Sequence, residues 1–217
     1  MSTMRLLAAG AAASLAGLLA LSSCAAMPDA PPPASSDAPS GESLGSMAPA
    51  PPEGEVVGTG TVMDVDGAPE LCMGAVAESF PPQCSGIPLE GWSWDGVDGS
   101  ETSGTTRWGA YAVTGTYDGA VFAVSGAPLP LALYDPMAPD DPTGGEPGTA
   151  TEAELIAVQD ELTDRFRDTA TYLGSYPDSG YLWVDVVWDD GTLQQAADDD
   201  FGEGVVLIRS ALRAVEG

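Results

Sequence analysis

The sequence predicts an α+β protein: a small antiparallel β-barrel or sandwich, followed by a compact helix-strand-helix-strand unit. Three observations carry this expectation. Residues 55–133 consist of short runs rich in Val, Thr, Tyr, Phe and Trp, punctuated by Asp-Gly pairs at 66–67, 95–96, 98–99 and 118–119, dipeptides that tight turns favour. From residue 151 the apolar period changes from two to that of a helix. Two Pro-rich stretches, 24–54 and 134–150, offer almost no large apolar side chain, so they read as a disordered tether and a linker between domains.

Within 55–133, strands are expected near 56–64, 70–77, 88–95, 108–117 and 120–126, with an extended piece at 129–134. The clearest hairpin runs from Trp108 to Tyr117, turns at Asp118-Gly119 and returns through Val121 and Phe122. Tyr111, Val113 and Gly115 should share its inner face. Five short strands in so few residues suit a small barrel, and the Gly-rich spacing resembles oligonucleotide/oligosaccharide-binding barrels, a likeness of fold that implies no activity.

Cys72 and Cys84 lie inside this unit, without a nearby His or a C-x-x-C spacing that would suit a metal site. A disulfide is expected between them, pinning the second strand to the Phe80–Gln83 connection and contributing roughly 3 kcal/mol by loop closure.

In 151–217, Thr151 followed by Glu154 is a capping box, and Leu155, Val158, Leu162, Phe166 and Leu173 recur at helical spacing over 151–172. Residues 174–180 read as a loop. Tyr181–Trp188 alternates as a strand with Leu182, Val184, Val186 and Trp188 on one face. A short helix at 192–200 and a strand at 205–212 follow, and the intervening length allows a parallel crossover.

The first 24 residues determine where the rest resides. Arg5 precedes an Ala/Leu-rich run ending in Leu21-Ser22-Ser23-Cys24. This resembles the lipobox of bacterial lipoproteins, especially those of actinobacteria, whose GC-rich coding also fits the absence of Lys and Asn. The resemblance implies a signal peptide at 1–23, cleavage between Ser23 and Cys24, a lipid (palmitate-bearing) anchor on Cys24, and residence at the cell membrane on its extracytoplasmic face.

Charge narrows the function further. Loss of Arg5 with the signal leaves five Arg against 33 acids, a net charge of −28. Such a surface repels phosphate, so nucleic acid is excluded as a partner, and anionic headgroups should push the folded part away from the bilayer. With no His, a Ser-His-Asp triad and His-ligated metals are also excluded.

Individual motifs yield little chemistry. Gly41-Glu42-Ser43-Leu44-Gly45 matches the nucleophile-elbow pattern, but it sits in a Pro-rich stretch without a His partner. Asp64 and Asp66-Gly67 open like a calcium loop, whereas Ala68, Pro69 and Ala75 break the ligand spacing, so an Asp-capped turn is expected. The runs Asp189-Asp190 and Asp198–Asp200 read as solvated charge. Trp92, Trp94 and Trp108 are expected to cluster, as core or as a binding surface at Trp92 and Trp94. The resulting expectation is a non-catalytic binding or interaction module, without cofactor, tied to the membrane through its lipid and engaging an envelope protein or polymer. The alternative is a carboxylate-dependent hydrolase of cell-wall polymer.

Overall fold

A computed structural model describes residues 43–136, 138, 141–167 and 169–215. Ser23 and Cys24 lie outside the described residues, as do the rest of the signal and most of the expected tether. The described residues all belong to one compact unit with an α+β architecture.

The barrel is built from β1 (Val56–Val65), β2 (Ala68–Cys72), β3 (Ile87–Glu90), β5 (Thr106–Tyr117) and β6 (Phe122–Val124), with β4 (Glu101–Ser103) and β7 (Leu129–Pro130) as short additions on β5. The strands pair in the order β1-β2-β3-β6-β5, and β5 returns to β1 over ten residue pairs to close the ring. Every neighbouring pair is antiparallel except β3 and β6, which run parallel. The result is a closed five-strand barrel, antiparallel as expected apart from this one parallel seam.

The core follows strand alternation. Tyr111 and Val113 are fully buried, and Phe122 returns across from Tyr117 to meet them. Val56, Val62, Leu71, Ile87 and Leu89 complete the interior. The outer face holds a second small cluster of Met63, Cys72 and Trp108 with Cys84. Cys72 and Cys84 are disulfide-bonded, tying the end of β2 to the loop beyond the Ala77–Gln83 bridge.

After a 3-10 turn at Leu131–Leu133, the chain enters α1 (Glu152–Arg165) through the expected capping box. The helix ends at Arg165, well before residue 172, because Thr169 turns its amide and its hydroxyl back onto the Phe166 carbonyl and Thr171 begins to pair with Val187. Leu173 therefore belongs to β8 (Tyr172–Asp178), a strand in the stretch expected to be a loop. Its Gly, Ser and Pro content hides it, and an edge position with a bulge at Tyr172/Gly174 tolerates Pro177. β9 (Tyr181–Val186), α2 (Thr192–Phe201) and β10 (Val206–Ser210) form a parallel crossover, giving a sheet of order β10-β9-β8.

One face of this sheet supplies the second core. Leu182, Val184, Val186 and Val206 pack against Leu155, Leu162 and Phe166 from the α1 region, and against Leu193, Ala196 and Ala197 of α2. Trp188 does not continue this face. β9 stops at Val186, and Trp188 packs toward the barrel while donating to the Ala50 carbonyl at 3.0 Å.

The two cores are stitched together. Val187 and Leu212 are buried in the barrel interior, and β11 (Arg213–Ala214) pairs with the start of β1. The 134–150 stretch is thus a boundary between two cores within one body.

Residues 43–54, expected to belong to the tether, are attached to the fold. Leu44 is buried among α1, α2 and the second sheet, and Asp200 accepts hydrogen bonds from the Leu44 amide and the Ser43 hydroxyl. Asp190 accepts from the Ala50 amide. A single apolar side chain in a Pro-rich context anchors a segment that composition alone reads as unstructured.

Candidate functional site

The second sheet has a face that the helices do not cover. Strand alternation sends Leu182, Val184 and Val186 to the helices and therefore puts Tyr181, Trp183 and Asp185 on the opposite side. Register then fixes their neighbours: Tyr176 of β8 and Leu207 of β10 flank Trp183, and Arg209 lies beside Asp185.

Arg209 is the hinge of this surface. Its Nε donates to Asp185 Oδ1 at 2.6 Å and its Nη2 to Asp185 Oδ2 at 3.0 Å, a two-pronged pair. Nη2 also reaches the Tyr176 hydroxyl at 3.1 Å. The guanidinium carbon stands 5.8 Å from the Tyr176 ring centre and 5.7 Å from that of Trp183, within cation–π range. The Asp185 carboxylate raises the guanidinium further above its already high ordinary value, outweighing the opposing effect of burial. A planar donor fork held at so many points presents fixed hydrogen-bonding directions.

Beside it, the Tyr181 and Trp183 rings meet edge to face at 6.4 Å. A loop spanning Asp141–Gly148 folds over this end of the sheet. It is secured by the Gly148 amide on the Ser179 carbonyl at 2.8 Å and by the Tyr181 hydroxyl on the Glu146 carbonyl at 3.0 Å. Gly148 and Gly180 touch backbone to backbone, so a side chain at either would collide with the other.

Two pockets result. One, of about 350 Å³, lies between Tyr181, Trp183 and Arg209 on one side and Asp141, Glu146 and Asp178 on the other. A second, of about 450 Å³, also has Arg209 in its wall, with Asp185 and Arg213 beside it and Thr59, Met73, Pro136 and Ala138 among its other lining residues. The hydroxyl and backbone amide of Thr143 hold the Asp141 carboxyl below the usual carboxylate range, so it is ionised at neutral pH.

The aromatic residues singled out in the sequence are placed differently. Trp92 and Trp94 follow the end of β3, where they stack edge to face at 5.0 Å and lean on Tyr111. Both are half-buried against the barrel core. Trp94 Nε1 donates to Asp64 Oδ2 at 2.8 Å, and the Arg107 guanidinium lies 4.5 Å from its ring centre. These rings close one end of the barrel. Trp108 is not with them, because its position on β5 turns it outward onto Met63 and the disulfide.

The acidic motifs serve the backbone. Asp64 caps the Asp66-Gly67 turn through the Gly67 amide. Asp189 accepts from the amides of Leu193 and Gln194 at the start of α2, where a negative charge complements the helix dipole. Ser43, the serine of the elbow-like pattern, bonds to Asp200 and Arg165 as part of an anchor. Among the described residues, no group of three or more His, Cys, Asp or Glu side chains is placed to hold a metal ion.

Sequence reasoning thus missed Tyr176, Tyr181, Trp183, Asp185 and Arg209. The signal was present in the alternation of 181–186, whose polar and aromatic positions complement the apolar ones. Comparison with known proteins adds nothing to this geometry: no family model, curated protein or solved structure matches the chain.

Proposed function

We propose that this protein is a lipid-anchored, extracytoplasmic binding module of the cell envelope that performs no chemistry of its own and engages its partner on the open face of the second sheet. The observation that carries this reading is the row Tyr181, Trp183 and Asp185, which projects away from the helices and is gripped by Arg209. A rigid strand-borne array of rings and fixed polar groups, beside concave space, is what a recognition surface requires.

Two further features support the reading. The Cys72–Cys84 disulfide suits an oxidising compartment outside the cytoplasm. Among the described residues, each carboxyl whose ionisation is displaced, namely Asp118, Asp141, Glu154, Asp190 and Asp200, is displaced downward. A carboxylate-dependent hydrolase needs the opposite, an acid kept protonated near neutrality. No described helix is long and apolar enough to cross a membrane, and the anchor assigned to Cys24 rests on the sequence.

The reading is tested in two parts. Palmitate should label the wild-type protein and not Cys24→Ser. The Cys24→Ser protein should still sediment with washed cell envelopes, and Trp183→Ala should release it. Accumulation of reducing ends from envelope polymer incubated with the pure protein would overturn the non-catalytic assignment.

A further inference from the structure

We infer that Gln194 locks the outer edge of β10 against strand addition by a second copy of this chain, its carboxamide standing where a neighbouring strand's peptide group would stand. Among the described residues β10 is a terminal strand of the second sheet, paired only with β9. The Leu182 amide donates to the Val205 carbonyl, so in this parallel ladder the polar groups of Leu207 also turn to β9, and those of Val206 and Ile208 turn to the free edge. Gln194 meets them there. Its Oε1 accepts from the Ile208 amide at 2.8 Å, and its Nε2 donates to the Val206 carbonyl at 2.9 Å.

One acceptor and one donor, bonded to an amide and a carbonyl two residues apart, reproduce what a peptide unit of an adjacent strand offers. A further partner fixes which way the carboxamide points. Nε2 also donates to Asp198 Oδ1 at 3.0 Å, and an ionised carboxylate only accepts. Asp198 is therefore a positioning residue for Gln194, one turn further along α2, and it takes the Gly204 amide at 3.4 Å just ahead of β10.

The strand itself carries little other protection. From Val205 it reads Val-Val-Leu-Ile-Arg-Ser, without Pro, acidic residue or bulge, and its one charge, Arg209, is drawn onto Asp185. An edge of this composition is a template for a further strand. The opposite edge of the sheet is defended in more ways. β8 carries Pro177, which has no amide to offer, and a bulge at Tyr172/Gly174, while Gln159 of α1 donates to the Ser175 carbonyl at 2.7 Å. A glutamine thus stands at both edges, but β10 relies on its own far more heavily. A second copy is the occupant that fits, because two β10 edges can pair antiparallel about a twofold axis, each offering the same Val206 and Ile208 groups to the other.

The test takes the full chain with Cys24→Ser as parent and compares Gln194→Leu, Gln194→Ala and Gln159→Leu with it, by sedimentation over a range of concentrations and by amide hydrogen exchange. Both Gln194 variants should shift to dimer mass at concentrations where the parent and Gln159→Leu do not associate. Their Ile208 amide should exchange faster than the parent's in dilute solution and regain protection as concentration rises, a response that a merely loosened fold does not give. Unchanged near-ultraviolet circular dichroism shows that the variants are folded. Gln194 variants that stay monomeric throughout the range, association without concentration-dependent protection of Ile208, or a parent that associates as readily as they do would overturn the lock. Loss of the folded state in both Gln194 variants would overturn it too, since Gln194 would then serve the fold and not the edge.

Discussion

The backbone amide of Leu44 donates to Asp200 Oδ2 at 2.9 Å, joining the start of the described chain to the last turn of α2. A carboxylate near a helix C-terminus works against the helix dipole, so Asp200 is placed there for what it holds. It also accepts from Ser43 and pairs with Arg165, which is itself paired with Glu161. The clamp seats the Leu44 side chain, 1% exposed, in the second core.

Leu44→Ala should therefore cost about 2–4 kcal/mol, as for other buried leucines, and expose residues 43–54 to proteolysis at protease levels the wild type resists. Asp200→Asn should cost less, about 1 kcal/mol, because both members of its ion pair are about a quarter exposed and solvent screens them. Urea unfolding of the two variants measures both. Equal stability of Leu44→Ala and wild type would mean that this segment is not anchored.

Acid should weaken the same clamp. Burial raises the Asp200 carboxyl, but the Leu44 amide, Arg165 and Ser43 together outweigh it and bring the value below 3.8. A group depressed on folding stabilises the folded state above its unfolded value and loses that contribution as pH falls through the folded one. The stability gap between wild type and Asp200→Asn should be constant from pH 7 to about pH 5 and shrink below pH 3.8. Comparing urea midpoints of the pair at each pH removes the general effect of neutralising an acidic surface.

Two barrel glycines should be irreplaceable. A methyl group on Gly60 would run into the Cys72 carbonyl, and one on Gly115 into the Ala123 carbonyl and the Phe122 ring. In both cases the obstacle is the neighbouring strand's backbone, which cannot move without opening the barrel. Gly60→Ala and Gly115→Ala should each cost about 3 kcal/mol or more, in the range of severe overpacking. Gly67→Ala has open space around it but a φ of +86°, so it should cost only about 1 kcal/mol. Thermal melts of the three variants should separate into these two groups.

Trp92 closes the barrel with one polar atom unprovided for. Its Nε1 is buried and has no hydrogen-bond partner among the described residues, while the neighbouring Trp94 Nε1 is bonded to Asp64. Trp92→Phe removes an unmatched donor and should be neutral or stabilising by about 1 kcal/mol. Trp94→Phe should destabilise, because it leaves a partly buried Asp64 oxygen unpaired. The opposite order of stabilities would show that Trp92 has a partner.

Much of this architecture was legible because local chemistry and tertiary structure agree. The Asp118-Gly119 turn, the inward pair Tyr111 and Val113, the disulfide and the Thr151–Glu154 capping box are all decided by residues close in sequence or by alternation along one strand. The parts that escaped depend on distant neighbours. β8 is a strand because β9 lies beside it, and Leu44 is core because α1 and α2 leave a hole of its size. The open face went unread for a related reason: attention to the apolar positions of 181–186 defines a core, and only pairing with β10 brings Arg209 to Asp185 and turns the remaining positions into a surface.

The pairing of Ala214 with Val56, together with the Val215 amide on the Glu55 carbonyl at 2.9 Å, bears on the order of assembly. The barrel strands are synthesised first, yet their interior still waits for Val187 and Leu212. A nascent chain halted after β7 would have most of its hydrogen-bonding ring and an unsealed hydrophobic mouth, a state prone to stick to its neighbours. Shortening the protein from the carboxyl side should therefore be felt first where the barrel begins, at Glu55 and Val56.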